Sequence, residues 1–317
     1  MTFVDLHCHS TASDGTFSPA EVVRLAQQRG LSALALTDHD TIGGISEAAA
    51  EAKRVGIDFL PGIEISAEFP HPGTMHILGY GVDPQSEVLK DLTARLLEGR
   101  DNRNPRIIAK LNELGVSITM EEVERQAREG NPAEKSVPAS GEKSKWTSPP
   151  DPNKPLVVGR PHIAAILLRK GYVSSIKQAF DKYLAPGGLA YFDKERLTPR
   201  QALEMIRQSG GVPVLAHPIQ LRTENDAQLE RILKDLLDLG LMGLEVIHSD
   251  HNAELIDKYT ALADRYHLLK TGGSDFHGTN KKDIDLGMAN GRKIPREYFD
   301  VLQEKIHHGD TEARRRE

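Results

Sequence analysis

The amino-acid sequence predicts an α/β protein in which a core of alternating strands and helices is split by a helical insertion. Apolar strand-like runs alternate with amphipathic helical runs over residues 3–82, and the alternation returns after residue 198. The segment between them is charged and helical, with an irregular stretch in its middle. Alternation of this kind is the pattern of parallel βα units.

Taken in order, FVDLH (3–7) reads as a short buried strand. Ser18-Pro19-Ala20-Glu21 then opens a helix, with serine as cap, proline at the first helical position and glutamate completing a capping box. Val22, Val23, Leu25 and Ala26 supply its apolar face, and Gly30 ends it. LSALAL (31–36) is the next strand and stops at Thr37-Asp38-His39-Asp40. A helix through EAAAEAKRV follows, then the strands DFLPGIEIS (58–66) and MHILGYGV (75–82). Residues 84–130 are helical, with IIAKLNEL at helical spacing. Residues 131–156 are rich in Pro, Ser and Lys and read as a mobile loop. Helix resumes over 159–185, and TPRQALEMIRQS (198–209) rejoins the core. VPVLAHP (212–218), GLEVIHS (243–249) and HLLKTGGSDFH (267–277) are strands, separated by helices after Asn225 and from Asn252 to Tyr266. The last residues, HHGDTEARRRE, read as a frayed, solvated tail. The expected organisation is a discontinuous barrel over 1–90 and 190–295, a helical insertion over 91–189 with its loop at about 131–156, and a C-terminal helix and tail over 296–317.

The 317 residues, with 38% hydrophobic and 27% charged, suit a soluble globular chain with a real core. No run approaches the roughly 20 apolar residues of a membrane span. The start MTFVDLHCHS lacks a basic region followed by an apolar run, so no signal peptide is expected. A single cysteine makes no internal disulfide, and the cytoplasm is the expected compartment. A net charge of −6 and 5% aromatic residues argue against a surface that coats long nucleic acid. A local basic pocket for a nucleotide or short oligonucleotide stays compatible with that charge, and no obligatory protein partner is evident.

Functional sites in βα folds lie at the C-terminal ends of strands. Here strand after strand ends in a histidine or an acid: His7 and His9, Asp38-His39-Asp40, Glu64, His76, His217, and Asp275 with His277. Residues two apart on an extended backbone share a side, so His7 and His9 can share a metal, and Asp275 and His277 repeat that logic. Each unit alone has an ordinary reading as a turn, a cap or a rim histidine. Glu64 is the harder case, because an acid between Ile63 and Ile65 is costly unless paired or metal-bound. The ordinary readings would all have to hold independently. Nitrogen and carboxylate ligands with almost no thiolate suit Zn, Mn or Fe, and their number suits two or three ions. Cys8 points away from its flanking histidines and reads as core.

The motifs HCHS, Asp14-Gly15, LTDHDT, GIEIS, HILGY, LAHP and GSDFHG, in that order, resemble those of the PHP (polymerase and histidinol phosphatase) superfamily. VGRPHIA, followed by GYV and the Tyr183-Leu184 region, resembles the branch of 3′,5′-nucleoside bisphosphate phosphatases and the 5′-to-3′ exoribonuclease RNase AM. The resemblance implies a distorted (β/α)7 barrel of the PHP type and a centre of two or three divalent ions (Mn, Fe or Zn). It implies that His7, His9, Glu64 and Asp275 hold a first ion, and that Glu64 bridges to a second held by His76 and His217. Asp14, His39 and His277 would hold a third. The implied chemistry is hydrolysis of a nucleotide phosphomonoester by metal-bound hydroxide, with Asp14, His39, Glu64 and Asp275 at the reacting centre. Asp38 and Asp40 are candidates either to orient imidazoles or to cap the following helix. Arg160 and His162 are candidate phosphate anchors, Arg103 with Asn104 a weaker one, and His248 and His251 possible pocket walls. The alternatives are a 5′-to-3′ exoribonuclease on short 5′-phosphorylated RNA, a histidinol phosphate phosphatase, and a non-catalytic metal-binding module.

Overall fold

The computed structural model describes residues 2–129, 158–193 and 196–313, with side chains described over 2–127, 158–193 and 196–307. The expected mobile loop at 131–156 and the last four residues lie outside the described residues. The strands are β1 (Phe3–Asp5), β2 (Ala33–Leu36), β3 (Asp58–Ala67), β4 (Met75–Tyr80), β5 (Val212–Leu215), β6 (Gly243–Ile247), β7 (Leu269–Gly272), β8 (Met288–Ala289) and β9 (Arg292–Pro295). The helices are α1 (Pro19–Gln28), α2 (Ile45–Val55), α3 (Glu87–Glu113), α4 (Met120–Glu129), α5 (Arg160–Arg169), α6 (Ile176–Ala179), α7 (Pro199–Gln208), α8 (Asp226–Asp238), α9 (Ala253–Arg265) and α10 (Arg296–Ala313). The capping signals act as the sequence predicts. Ser18 and Glu21 form a capping box on α1, and the side chains of Asn225 and Asn252 accept from the first turns of α8 and α9.

One sheet runs β7-β6-β5-β4-β3-β2-β1-β9-β8. It closes on itself where the chain beyond β1 meets the chain beyond β7. Leu6 N–H donates to Gly272 O at 3.2 Å, Asp275 N–H to His7 O at 2.8 Å, and His9 N–H to Phe276 O at 2.9 Å. The result is the distorted, nearly closed barrel of seven strands that the family resemblance implies. It is not wholly parallel: β4 runs antiparallel to both β3 and β5. The physical reason is the connection from 68 to 74, which is too short for a crossover and permits only a hairpin. The β8–β9 pair, unforeseen from the sequence, extends the edge beyond β1. The C-terminal helix α10 continues through Ala313, beyond the start of the expected frayed tail.

Apolar side chains divide into distinct clusters. Ile63, Ile65, Ile77, Leu78, Val214 and Val246 fill the barrel with the helices packed on it. Ile107, Leu111, Val123, Ile163 and Leu167 form a separate cluster among α3, α4 and α5. Cys8 is fully buried beneath α1 and α2, its thiol donating to Ala35 O at 3.2 Å. Tyr80 crosses the barrel interior to donate to Leu6 O at 2.9 Å.

The seam leaves no space for a side chain at Gly273, where an added Cβ would lie 2.2 Å from His7 Cβ and 2.4 Å from His7 N. Gly273→Ala is therefore expected to part the seam and lower stability by about 1–3 kcal/mol, read as a fall in the thermal unfolding midpoint. An unchanged midpoint would contradict the closure described.

Candidate metal centre

One rim of the barrel converges on the carboxylate of Glu64, which is fully buried on β3; because β4 runs antiparallel, His76 stands at the start of its strand and not at its C-terminal end as expected. Its Oε1 lies 2.9 Å from His76 Nδ1 and 3.0 Å from His217 Nε2. Its Oε2 lies 2.9 Å from His39 Nδ1 and 3.3 Å from both His7 Nε2 and His9 Nε2. Asp275 Oδ1 stands 3.3 Å from His9 Nε2, 3.4 Å from His277 Nδ1 and 3.7 Å from His7 Nε2. Asp14 Oδ1 lies 3.3 Å from His277 Nε2 and 3.9 Å from His9 Nδ1. All nine residues singled out as ligands thus come together in one place. They form overlapping groups whose ligand atoms lie within 4.8 Å of one another: His7, His9 and Asp275; His7, Glu64 and His217; His39, Glu64 and His76; and His9, Asp14, His39 and His277.

Local backbone geometry aims several of these side chains. His217 and Asp275 adopt φ of 23° and 57°, and Asp40, next to His39, 55°. Non-glycine residues rarely take such values, and they concentrate at functional sites where the surroundings hold them.

The donor set fits divalent cations. His7 Nε2, both nitrogens of His9, His39 Nδ1, His76 Nδ1 and Glu64 Oε2 are buried without a hydrogen-bond partner. Buried polar atoms left bare cost roughly 1–3 kcal/mol each, and shared ions of the Mn, Fe or Zn type satisfy them together. The protein field already favours charged carboxylates. Burial pushes Glu64 up, but His39, His7 and His76 outweigh it and hold it well below the usual range. Burial likewise opposes ionisation of Asp14, and His277 and His39 overcome it. Burial draws His39 down to about 4, and the charges of Glu64 and Asp14 oppose that shift.

Around the ligands lies a layer that sequence reading missed. Glu245, fully buried on β6, accepts from His7 Nδ1 at 3.0 Å and from His217 N–H at 2.7 Å. It fixes the tautomer of His7 and leaves Nε2 for the centre. The signal was present, because Glu245 is an acid inside the apolar run GLEVI, just as Glu64 is inside GIEIS. Asp5 accepts from the backbone N–H of His7, Ser274 and Gly287 at 3.1, 3.0 and 2.6 Å, so one carboxylate pins both ligand-bearing segments of the seam. Asp38 accepts from Ser10 and Ser13 and braces the loop after His9. Asp40 accepts from Ser66 and from Arg100 Nη2, the latter at 2.6 Å. Neither aspartate caps α2, which follows Gly44 without a side-chain cap. The bonds described for Asp38 and Asp40 brace loops, and the imidazole-orienting acid is Glu245. His248 and His251, expected as possible pocket walls, are both buried.

The three phosphate-anchor candidates come from α3 and α5. Arg103 is 4% exposed, and its Nε and Nη2 both point at Asn104 Oδ1. Burial, then the like charges of Arg160, Arg100 and Arg196, pull its pKa down to about 9. Arg160 opens α5, donating Nη1 to Leu184 O at 2.8 Å with its guanidinium 5.3 Å from the Tyr191 ring centroid. His162 Nδ1 accepts from Gly159 N–H at 3.0 Å, which places its proton on Nε2. Burial lowers His162 to about 4, and the field of Asp14 opposes that shift. Arg103 thus feels the charges of Arg160 and Arg100, and His162 feels that of Asp14 in the third ligand group. Arg100, which also donates to His39 O at 3.2 Å, was not foreseen.

A family model described as the PHP domain matches residues 5–247. The chain is 33% identical over 287 residues to the 3′,5′-nucleoside bisphosphate phosphatase of Chromobacterium violaceum, covering 90% of this chain and 91% of that protein. It is 33% identical to the phosphoribosyl 1,2-cyclic phosphate 1,2-diphosphodiesterase of Eggerthella lenta, covering 86% and 94%. It is also 33% identical to a 5′-3′ exoribonuclease of Haemophilus influenzae, covering 86% and 89%. A solved structure from Bifidobacterium adolescentis, described as a metal-dependent phosphoesterase, superposes with a TM-score of 0.77 at 28% identity over 95% of both chains.

Glu245→Gln offers one acceptor where two N–H donors need one each. It is expected to weaken Mn²⁺ binding roughly 10–100-fold, measured by calorimetry on chelator-stripped protein. Wild-type affinity would show that His7 needs no such brace.

Proposed function

The chain belongs to the PHP domain family and is a metal-dependent phosphoesterase, and on that premise we propose that it removes the 3′-phosphate from nucleoside 3′,5′-bisphosphates. The observation that carries this reading is the arginine patch. Arg160, Arg100 and Arg196 each press like charge on Arg103, and Arg196 does the same to Arg160. A second phosphate among them relieves that repulsion, and guanidinium groups grip phosphate in two-point fashion. The relatives are named for a bisphosphate, a phosphoribosyl cyclic phosphate and RNA at equal identity, so identity alone does not choose among them.

In this reading His7, His9, Glu64 and Asp275 hold one ion, Glu64 with His76 and His217 a second, and Asp14, His39 and His277 a third. When bound, the ions supply an activated water and positive charge against the phosphoryl oxygens. The chain's residues do the rest. Glu64 offers an oxygen to each side of the cluster and fixes the spacing of its ligands. His162 presents an uncharged Nε2–H to a phosphate oxygen. Arg103 and Arg160 hold the second phosphate and so orient the scissile one in line. No helix among the described residues is long and apolar enough to cross a membrane. With one buried cysteine and a small charged substrate, the cytoplasm is the compartment we assign.

A second reading uses the same patch to grip the 5′-phosphate of a short RNA, as a 5′-to-3′ exoribonuclease. Phosphate or nucleotide release with Mn²⁺ separates the readings on one panel: adenosine 3′,5′-bisphosphate, AMP, a 5′-phosphorylated short RNA, a cyclic phosphodiester of a phosphorylated ribose, and histidinol phosphate. We expect fastest release from the bisphosphate with AMP left as product. Mononucleotides from RNA at higher efficiency would transfer the role to RNA trimming. Silence on every member with metal bound would leave a non-catalytic module.

Arg103→Ala and Arg160→Ala are each expected to lower kcat/KM on the bisphosphate by roughly 10–100-fold, mostly through KM, with metal content unchanged. An unchanged KM would remove that residue from the anchor. His39→Ala is expected to lose one ion per chain and most activity while its far-ultraviolet circular dichroism stays the same; a full complement of ions would contradict the third site.

A further inference from the structure

Asp275 presents its two oxygens to different surroundings. Oδ1 faces the histidines of the centre. Oδ2 faces the other way, bonded by Lys281 Nζ and 3.3 Å from His248 Nε2. His248 Nδ1 accepts from Asp250 N–H at 3.0 Å, so the proton of this imidazole sits on Nε2, toward the carboxylate. Both groups at Oδ2 therefore bring hydrogen, and neither offers a lone pair to an ion.

The position of Lys281 is built by the fold. It lies at the end of a short turn in which Gly278 takes φ +65°, and an added Cβ there would meet Thr16 Oγ1 at 2.1 Å. Thr279 N–H donates to Thr16 Oγ1 at 2.9 Å, and Asn280 Nδ2 donates to Asp14 O at 2.8 Å. Lys281 N–H closes the turn on Gly278 O at 3.2 Å. The turn is thus tied to the Asp14 loop, and it delivers an ammonium to the outer oxygen of Asp275 while 40% of the lysine side chain stays exposed.

We propose that Lys281, seconded by His248, is a positioning residue that restricts Asp275 to one metal-facing oxygen. The inference rests on Asp275 being a metal ligand, as in the proposed function. A carboxylate free to turn can close both oxygens on one ion and occupy two coordination positions. With Oδ2 held by an ammonium, Asp275 occupies one position, and the other stays open for water or a phosphoryl oxygen. The ammonium also offsets charge in a centre that gathers four buried or half-buried carboxylates, Asp14, Glu64, Glu245 and Asp275.

The test is Mn²⁺ calorimetry on chelator-stripped, full-length wild type, Lys281→Met, Lys281→Arg and Asp275→Asn, with kcat and KM measured at saturating Mn²⁺. The expected result is roughly 10-fold tighter Mn²⁺ binding in Lys281→Met with kcat lowered roughly 10–100-fold, recovery of both in Lys281→Arg, and an unchanged KM. Unchanged or weaker binding in Lys281→Met overturns the inference, as does a raised KM with normal affinity, which would make Lys281 a substrate contact. Asp275→Asn separates the two levels. Intact binding there removes the ligand assignment and this inference with it, whereas lost binding there with wild-type affinity and kcat in Lys281→Met removes this inference alone.

Discussion

A buried carboxylate ringed by imidazoles is the constraint on which the rest of this protein depends. Glu64 is fully buried, with five histidines within 3.3 Å of its two oxygens. Removing a charge from water costs several kcal/mol unless partners replace the lost solvation. Histidines alone do so only by protonation, and crowded imidazoles resist sharing that charge. Divalent ions between the carboxylate and the imidazole lone pairs resolve both demands. The barrel is the device that makes the arrangement possible, because strand after strand delivers a ligand to one rim while apolar side chains fill the interior below. Its seam at residues 6–9 and 272–276 is where the first and last ligands meet, so closing the barrel and completing the site are one event.

The helical elements between β4 and β5 have their own apolar cluster, yet they reach into the centre through arginines. Arg100 bonds both the carbonyl of a ligand and the acid beside it, coupling α3 to the His39 loop. Arg103 and Arg160 stand behind it with few partners for their charge. Their like charges press on one another, and Asp193 offsets them in part. In the proposed function, barrel and insertion divide the work: one prepares the reacting phosphate, and the other recognises what else the substrate carries.

The clustering of the nine candidate ligands was legible in the sequence because strands are simple: a side chain two residues on shares a face, and a polar residue at the end of an apolar run has few places to go. Glu245 and Asp5 obey the same rule and were readable by it. Arg100 and Lys281 were not, because a cation in a charged helix or a polar turn looks solvated until the fold shows what lies opposite. The antiparallel course of β4 was implied by a connection too short for a crossover, while β8 and β9 are too brief to announce themselves. Arg160 shows the limit of motif reading. Its place at the start of α5 satisfies the ordinary expectation for GRPHIA as well as the functional one, and only the neighbouring arginines favour the latter.

The most direct test of the central claim is anomalous diffraction at the Mn edge from crystals of the full-length chain grown with Mn²⁺. The account predicts two or three peaks within coordination distance of Glu64, His76 and His217 on one side and of Asp14, His39 and His277 on the other. An empty cluster, or manganese bound only elsewhere, would contradict it.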